Sequence, residues 1–319
     1  MVVLFNGSKI LYLRGEKRMK KFFKWLGIIL ASLIGLIVLI VLGLAFKGNS
    51  KLKKTYDVQA ETITIPTDAA SIARGEHWVK AECIGCHGAD LSGGPFFEAP
   101  FGYIDAKNLT SGKGGAGLEF KDADWIRALR HGLNPENSSL LIMPASDFRY
   151  FSDTDLGDII AYVKSVPPVD KENREPSFNL LGKALIGAGV FGKGVLVAND
   201  IQQSGPITSP IPDAGITPEY GEYIVNASGC RTCHGVNLTG GKSPDPSAIN
   251  SPNLTPGGEL IAWSEDDFIK ALRTGVALSG HKLDPKQMPW EHYKNFSDDE
   301  LKAIWAYVHS LPKLKTTVP

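Results

Sequence analysis

All four cysteines of the chain sit in two copies of one pattern, Cys83-Ile84-Gly85-Cys86-His87 and Cys230-Arg231-Thr232-Cys233-His234. Thiols three positions apart on a helix stand about one turn from each other. Such a pair can reach the two vinyl groups of one porphyrin, and the next residue then carries its imidazole under the ring to the iron. This is the Cys-x-x-Cys-His attachment pattern of c-type haem. Two covalently bound haem c groups are therefore expected, one on Cys83 and Cys86 with His87 as iron ligand, one on Cys230 and Cys233 with His234. A thioredoxin-like redox pair would sit in a βαβ unit, and neither motif has one around it. A structural zinc site would bring the two pairs close in sequence, whereas 143 residues intervene between Cys86 and Cys230. Four cysteines so arranged also exclude a disulfide-dense secreted scaffold.

The sixth ligand decides whether haem iron carries electrons or binds small molecules. Apart from Met1 and Met19 the chain has two methionines, Met143 and Met288, lying 56 and 54 residues after His87 and His234 and each followed by proline. Methionine is an ordinary core filler, but two solitary Met-Pro pairs at matched distances point to axial thioethers. A soft neutral thioether favours ferrous iron, raises the reduction potential and closes the site to substrates. The expected iron ligands are thus His87 with Met143 and His234 with Met288, in a low-spin electron carrier with no catalytic residues of its own. His77, His131, His281, His292 and His309 do not recur between the copies and read as surface or packing residues. Arg130 and Arg273 share a register and read as partners of haem propionates or as exposed helix-end residues. Trp125, Phe268, Tyr162 and Tyr307 belong against haem or, more simply, in the helix core.

The elements that must position these groups repeat as well. Gly75-Glu76-His77-Trp78-Val79 answers to Gly221-Glu222-Tyr223-Ile224-Val225, Leu91-Ser92-Gly93-Gly94 to Leu238-Thr239-Gly240-Gly241, and Asn108-Leu109-Thr110 to Asn253-Leu254-Thr255. Trp125-Ile126-Arg127-Ala128-Leu129-Arg130 pairs with Phe268-Ile269-Lys270-Ala271-Leu272-Arg273, and Ala161-Tyr162-Val163 with Ala306-Tyr307-Val308. Two copies of one domain follow, at 67–168 and 215–313. Ser152, Ser264 and Ser297, each three residues before an acid, read as capping-box starts, and Thr217-Pro218 as an N-cap with proline at the first helical position. Leu156, Ile159, Ile160 and Val163, like Leu301, Ile304, Trp305 and Val308, make one apolar stripe at helical spacing. No alternating strand pattern competes, so an all-α fold is expected.

The formal charge of zero hides a split: residues 1–54 carry eleven Lys or Arg and one Glu, leaving 23 basic and 33 acidic residues in the rest. An acidic body argues against nucleic-acid binding. Trp25 to Phe46 is an uncharged run of 22 residues, which at ~1.5 Å per residue covers the ~30 Å of a bilayer core. It is longer than a signal-peptide apolar region and ends Leu44-Ala45-Phe46-Lys47 without small-residue cleavage spacing. A transmembrane anchor at 25–46 is expected, after a basic cytoplasmic tail at 1–24 and before a linker at 47–66. The heavier basic flank precedes it, which puts the body outside, on the periplasmic side of the inner membrane. Met19-Lys20-Lys21 also reads as a start, which would make 1–18 an upstream extension. Between the copies, 169–214 is too long for a connection inside a compact domain. Its middle, Leu180–Ala198, is apolar, but Lys183, Lys193 and five glycines interrupt a second membrane helix. An inter-domain strap packed across both copies is expected.

On these motifs the chain resembles class I cytochrome c domains twice over, across about 200 of its 319 residues. The resemblance implies a small helical bundle around each haem. The Gly-Gly, Asn-Leu-Thr and Trp/Phe-Ile-x-Ala-Leu-Arg pieces are similar to the cytochrome subunits of periplasmic alcohol, aldehyde and gluconate dehydrogenases, which usually carry three haem sites where this chain has two. One anchor before two haem domains is also similar to the dihaem subunit of some haem-copper oxidases. The implied function is single-electron transfer between a periplasmic dehydrogenase or other donor and a respiratory acceptor, a quinol-linked complex or terminal oxidase among the partners. A dihaem cytochrome c peroxidase is the rival enzyme class, and it needs one iron with an open distal face. A redox or gas sensor would need a signalling domain.

Overall fold

The computed structural model describes residues 7–192, 194–201, 203, 211–242 and 250–317, with side chains from residue 18 onward. The chain divides into two compact units, Met1–Ser50 with Asn179–Val190, and Lys51–Phe178 with Phe191–Pro319.

In the first unit one helix runs Gly7–Leu52, and its Arg18–Leu52 portion is long and apolar enough to cross a membrane. Against its C-terminal end lies a short helix, Leu180–Ala188, begun by the Asn179 side chain accepting from the Gly182 N–H and ended by Gly189 in the left-handed region, φ 76°. The two backbones touch: a Cβ on Gly48 would stand 1.9 Å from the Lys183 carbonyl oxygen, and one on Gly187 1.9 Å from that of Leu44.

The second unit holds both repeats. Each opens with a helix, Ala69–Glu82 or Pro218–Ala227, followed at once by the short turn of helix bearing Cys-x-x-Cys-His, Ile84–His87 or Cys230–His234. A middle helix follows, Asp122–His131 or Glu265–Thr274, then a single turn after the Met-Pro pair, Ala145–Phe148 or Trp290–Tyr293. Each repeat closes with a helix, Asp153–Ser165 or Asp298–Ser310. Ser152, Ser264, Ser297 and Thr217 each accept the N–H three residues on, satisfying one of the unpaired donors of the first turn. Opening and closing helices cross at glycine: a Cβ on Gly75 would lie 1.9 Å from the Asp158 carbonyl oxygen, and one on Gly221 1.9 Å from that of Ala303. Around these crossings Leu156, Ile160, Ile224 and Leu301 are fully buried, each stabilising by roughly 1.5–3 kcal/mol. One hydrophobic cluster runs through both repeats, from Trp78 to Val308.

The fold is mainly helical, and short strands accompany the helices. Gly94–Ala99 and Gly102–Ala106 form an antiparallel hairpin with a bulge between Pro95 and Phe97, and Ser177–Phe178 adds a third strand beside Gly102–Tyr103. In the second repeat Thr239–Gly241 pairs with Ser251–Asn253. Aromatic and β-branched residues around Pro100-Phe101 suit a short pleated hairpin, and its span is too brief for the periodicity of the sequence to reveal.

The stretch between the repeats makes its contacts in three parts. Its first part zips onto the first repeat: Asn108 N–H donates to the Asn173 side chain at 2.9 Å, the Lys171 N–H to the Lys113 carbonyl at 3.1 Å, and Arg174 to Asp105. Residues 179–190 belong with the long N-terminal helix instead. The chain then returns to the first repeat, where Leu196 bridges Leu141 and Val197 is buried with Ala145. The physical reason is size: the apolar segment is met by a complementary glycine at Gly48, far away in sequence. Residues 204–210 of the expected strap lie outside the described residues.

Candidate functional site

In both repeats the histidine of the attachment motif is aimed in the same way. His87 Nδ1 donates to the Lys107 carbonyl at 2.7 Å and His234 Nδ1 to the Pro252 carbonyl at 2.8 Å. With Nδ1 carrying the proton, Nε2 is left with its lone pair, which is the tautomer a metal needs. Desolvation of the rings holds both imidazoles below the ordinary range, the carbonyl contacts opposing it, so they stay neutral. The acceptor carbonyls are themselves fixed by the residue that follows each. Asn108 accepts from Thr110 N–H at 2.9 Å and donates to the Val169 carbonyl at 2.8 Å; Asn253 accepts from Thr255 N–H at 2.8 Å and donates to the Leu314 carbonyl at 2.9 Å. The repeated Asn-Leu-Thr is therefore a clamp on the proximal histidine's partner, and the segment after each closing helix completes it. Leu109 and Leu254 N–H groups reach the Leu91 and Leu238 carbonyls at 2.8 Å, and Leu91 and Leu238 both sit at φ 57°, the conformation that turns the chain back after the motif.

Cys83 and Cys230 are half-buried and Cys86 and Cys233 exposed, with no disulfide among them. Burial pushes the Cys230 thiol up to about 12 and the Cys83 thiol higher still, so neither is a thiolate. Among the described residues no three His, Cys, Asp or Glu side chains converge into a set that would hold a metal ion by themselves. Met143 and Met288 are both half-buried against the common hydrophobic cluster, which also includes Cys83 and Cys230. The residue before Met143, Ile142, has φ 63°, a conformation costly for a β-branched side chain. The residues thus suit a haem in each repeat: a neutral imidazole with a fixed tautomer, two thiols and a thioether.

Arg130 and Arg273, read from the sequence as propionate partners or exposed helix-end residues, make protein contacts at matching places. Arg130, fully buried, donates to the Arg149 carbonyl at 2.6 Å and to Asp153 at 2.6 Å; Arg273 donates to the Lys294 carbonyl and to Asp298 at 2.7 Å. Each ties the end of the methionine loop to the start of the closing helix. Trp125, Phe268 and Tyr307 are buried in the core. His131 is buried between Gln203 and Glu61, and His309 lies 4.2 Å from the Trp305 ring.

The sequence did not disclose the seam between the repeats, which exchanges contacts pairwise. His77 Nε2 reaches Glu300 Oε1 at 2.8 Å, and at the matching positions the Tyr223 hydroxyl donates to Asp155 while accepting the Ser152 N–H at 3.0 Å. Burial, reinforced by the Asp155 carboxylate, pushes the Tyr223 phenol up and keeps its proton in place. Asp147, four residues after Met143, accepts from the Thr232 hydroxyl at 2.8 Å inside the second attachment turn. His292, four residues after Met288, faces the first: a Cβ on Gly85 would stand 2.6 Å from its Nε2. Each attachment turn is thus covered by the segment following the other repeat's methionine, an isologous arrangement within one chain. Trp78 sits between them, edge-on to Phe151 at 5.0 Å, Phe296 at 6.0 Å and Tyr223 at 6.3 Å. Beside Cys83, the Glu82 side chain is half-buried but its Oε1 is withdrawn from solvent without a partner. Burial pushes this carboxyl up to about 8, with Ser228 opposing and Asp147 adding to the shift. The only sequence signal for the seam was shared register, since the paired residues differ in type.

Comparison with known proteins agrees with this geometry. Residues 72–167 match the family model for cytochrome c, and residues 217–308 match that for cytochrome c oxidase, cbb3-type, subunit III. The chain is 30% identical to the cytochrome c subunit of the quinone-type alcohol dehydrogenase of Gluconobacter oxydans, over 77% of this chain and 55% of that one. It is 26% identical to the cytochrome c subunit of gluconate 2-dehydrogenase of Pantoea cypripedii, over 76% of this chain and 60% of that one. With the fructose dehydrogenase cytochrome subunit of Gluconobacter japonicus the identity is 26%, over 78% and 55%. The chain spans little more than half the length of these curated relatives. Matched attachment turns, matched histidine tautomers and two family matches in tandem make one statement: the chain carries two cytochrome c domains with haem c as their cofactor, and it is similar to the cytochrome c subunits of alcohol, gluconate and fructose dehydrogenases.

Proposed function

We propose that this chain is the membrane-anchored electron carrier of a dehydrogenase, passing single electrons from that enzyme to a respiratory acceptor. Cys83, Cys86, His87 and Met143 would hold one haem, and Cys230, Cys233, His234 and Met288 the other. When bound, the iron supplies the one-electron oxidation and reduction. The protein's own residues fix both imidazoles through the Lys107 and Pro252 carbonyls and exclude water with the shared core, and Met143 and Met288 would supply the thioethers. Two closed sites favour a carrier over a peroxidase. Trp25–Phe46 anchors the chain in the inner membrane, with 1–24 in the cytoplasm and the cytochrome domains at 67–168 and 215–313 on the periplasmic side.

The observation that carries this reading is the repeated Nδ1-to-carbonyl bond, which leaves both histidines ready for iron. Met143→Ala and Met288→Ala test the ligand assignment: each leaves covalent haem in place and lowers the potential of one of the two centres. If both variants titrate like the parent, the axial assignment fails. The partner follows from likeness to dehydrogenase cytochrome subunits over some three-quarters of the chain. A terminal oxidase is the second reading, favoured by the cbb3-type subunit match over 217–308. Purification from native membranes separates the two, since a dehydrogenase flavin or quinone subunit accompanies the chain in the first case and a haem-copper subunit in the second.

A further inference from the structure

The Leu180–Ala188 helix is built inside out for a protein in water. It meets the long N-terminal helix at Lys183 and Gly187, backbone against backbone, and buries the small residues Gly182, Ala184 and Gly187 with Ile186, while Leu180, Leu181 and Val190 are 53%, 54% and 63% exposed. The helix it meets follows the same rule: Ala45 and Gly48 are buried at the contact, and Leu39, Leu42 and Phe46 are exposed. In water large apolar side chains go inward, whereas in lipid close backbone contact through small residues holds helices together and leucines face outward. The reciprocal approach of Gly48 to Lys183 and of Gly187 to Leu44, each at 1.9 Å from an added Cβ, is contact of that kind.

The position along the long helix fixes the depth. Leu44 to Gly48 straddles the end of the uncharged run at Phe46 and Lys47, so the short helix stands where hydrocarbon gives way to headgroups. Nine residues reach only ~13 Å, too short to span. Both ends are closed, by the Asn179 side chain and by Gly189, so few backbone groups are left to seek water. Its single charge, Lys183, has a stem long enough to keep an ammonium at the interface.

We propose that Asn179–Val190 is a second, non-spanning membrane contact, a short helix seated in the outer interfacial layer of the bilayer with Leu180, Leu181 and Val190 in lipid. The proposal rests on the reading of Trp25–Phe46 as a membrane anchor, and its test separates the two. The full haem-loaded chain is reconstituted into vesicles of phosphatidylcholine and phosphatidylglycerol after single substitution by cysteine and nitroxide labelling, with Leu181→Cys as the probe and Leu180→Cys as its duplicate. Ile37→Cys reports the anchor, and Val236→Cys, at a 79% exposed position of the second repeat, reports water. Collision with dissolved oxygen against a water-soluble nickel chelate gives the readout. A ratio at 181 or 180 several-fold above that at 236 and approaching that at 37 is expected. If 37 is lipid-like while both 180 and 181 match 236, the leucines face water or a protein partner and the proposal is overturned with the anchor intact. Strong dipolar broadening at 181 assigns the face to a second copy and overturns it too. A water-like 37 overturns the anchor, and the proposal with it.

Discussion

Replacing Gly75 with alanine puts a methyl carbon 1.9 Å from the Asp158 carbonyl oxygen, and replacing Gly221 puts one equally close to that of Ala303. Helix propensity pulls the other way, since alanine is better than glycine by ~1 kcal/mol in a helix interior. A carbon rests about 3.3 Å or more from a carbonyl oxygen, so the opening and closing helices would have to part by roughly 1.4 Å. The obstructing atom is backbone and cannot rotate aside. Overpacking costs ~1–3 kcal/mol, and a backbone collision belongs at the upper end, which leaves a net loss of about 2 kcal/mol. Both repeats share one unit and one core, and for a unit of about 250 residues that loss lowers the melting midpoint by roughly 4–8 °C. The assay is thermal unfolding of the haem-loaded chain, followed by haem absorbance and far-ultraviolet circular dichroism, for each variant. Gly35→Ala in the long N-terminal helix is the control, because nothing lies within 4 Å of its added methyl. A Gly75→Ala or Gly221→Ala chain that melts at or above the parent would refute the close crossing.

Cys83→Ala or Cys230→Ala should reduce the pyridine-haemochrome yield from two haems toward one per chain, and an unchanged yield in both would remove the attachment assignment. Glu82→Gln tests the buried carboxyl. A carboxyl raised from 4.5 to about 8 binds its proton more tightly in the folded chain. Its ionisation in the unfolded chain therefore makes the parent progressively less stable as pH climbs between those values, by at most about 5 kcal/mol. The glutamine variant lacks that loss, so the difference in urea midpoint should widen from pH 5 to pH 8; a constant difference sinks the idea. Tyr223→Phe removes the donor to Asp155 and the acceptor for Ser152 N–H, at about 1–3 kcal/mol for a buried group left unpaired. Hydrogen exchange should register that loss at the start of the closing helix of the first repeat, and protection lost only around residue 223 would count against a shared seam.

Much of this was legible from residue order. The helix starts at Ser152, Ser264, Ser297 and Thr217 follow from local hydrogen bonding, which depends on residues three positions apart. The hairpin at Gly94–Ala106 escaped because five or six residues carry too little periodicity. The place of Leu180–Ala188 was hidden for a different reason: its partner, Gly48, lies more than a hundred positions upstream, and an apolar segment does not announce whether it seeks a core, a helix or lipid. Arg130 and Arg273 share a register, but register says nothing about partners, and both guanidinium groups donate to loop carbonyls, those of Arg149 and Lys294. His77 faces Tyr223 in the other copy, so residue type alone hides their common role. What the repeats share there is a donor directed at a capping carboxylate, and a ring nitrogen and a phenol both supply it.

The pairwise seam has a consequence for strength. Two free domains meeting through this seam would associate only as far as their concentration allowed, but on a single polypeptide the encounter happens at an effective concentration of order millimolar. A modest contact can then be a lasting one. Cutting the connection between the repeats, without touching any residue of either, would turn a permanent arrangement into a reversible association.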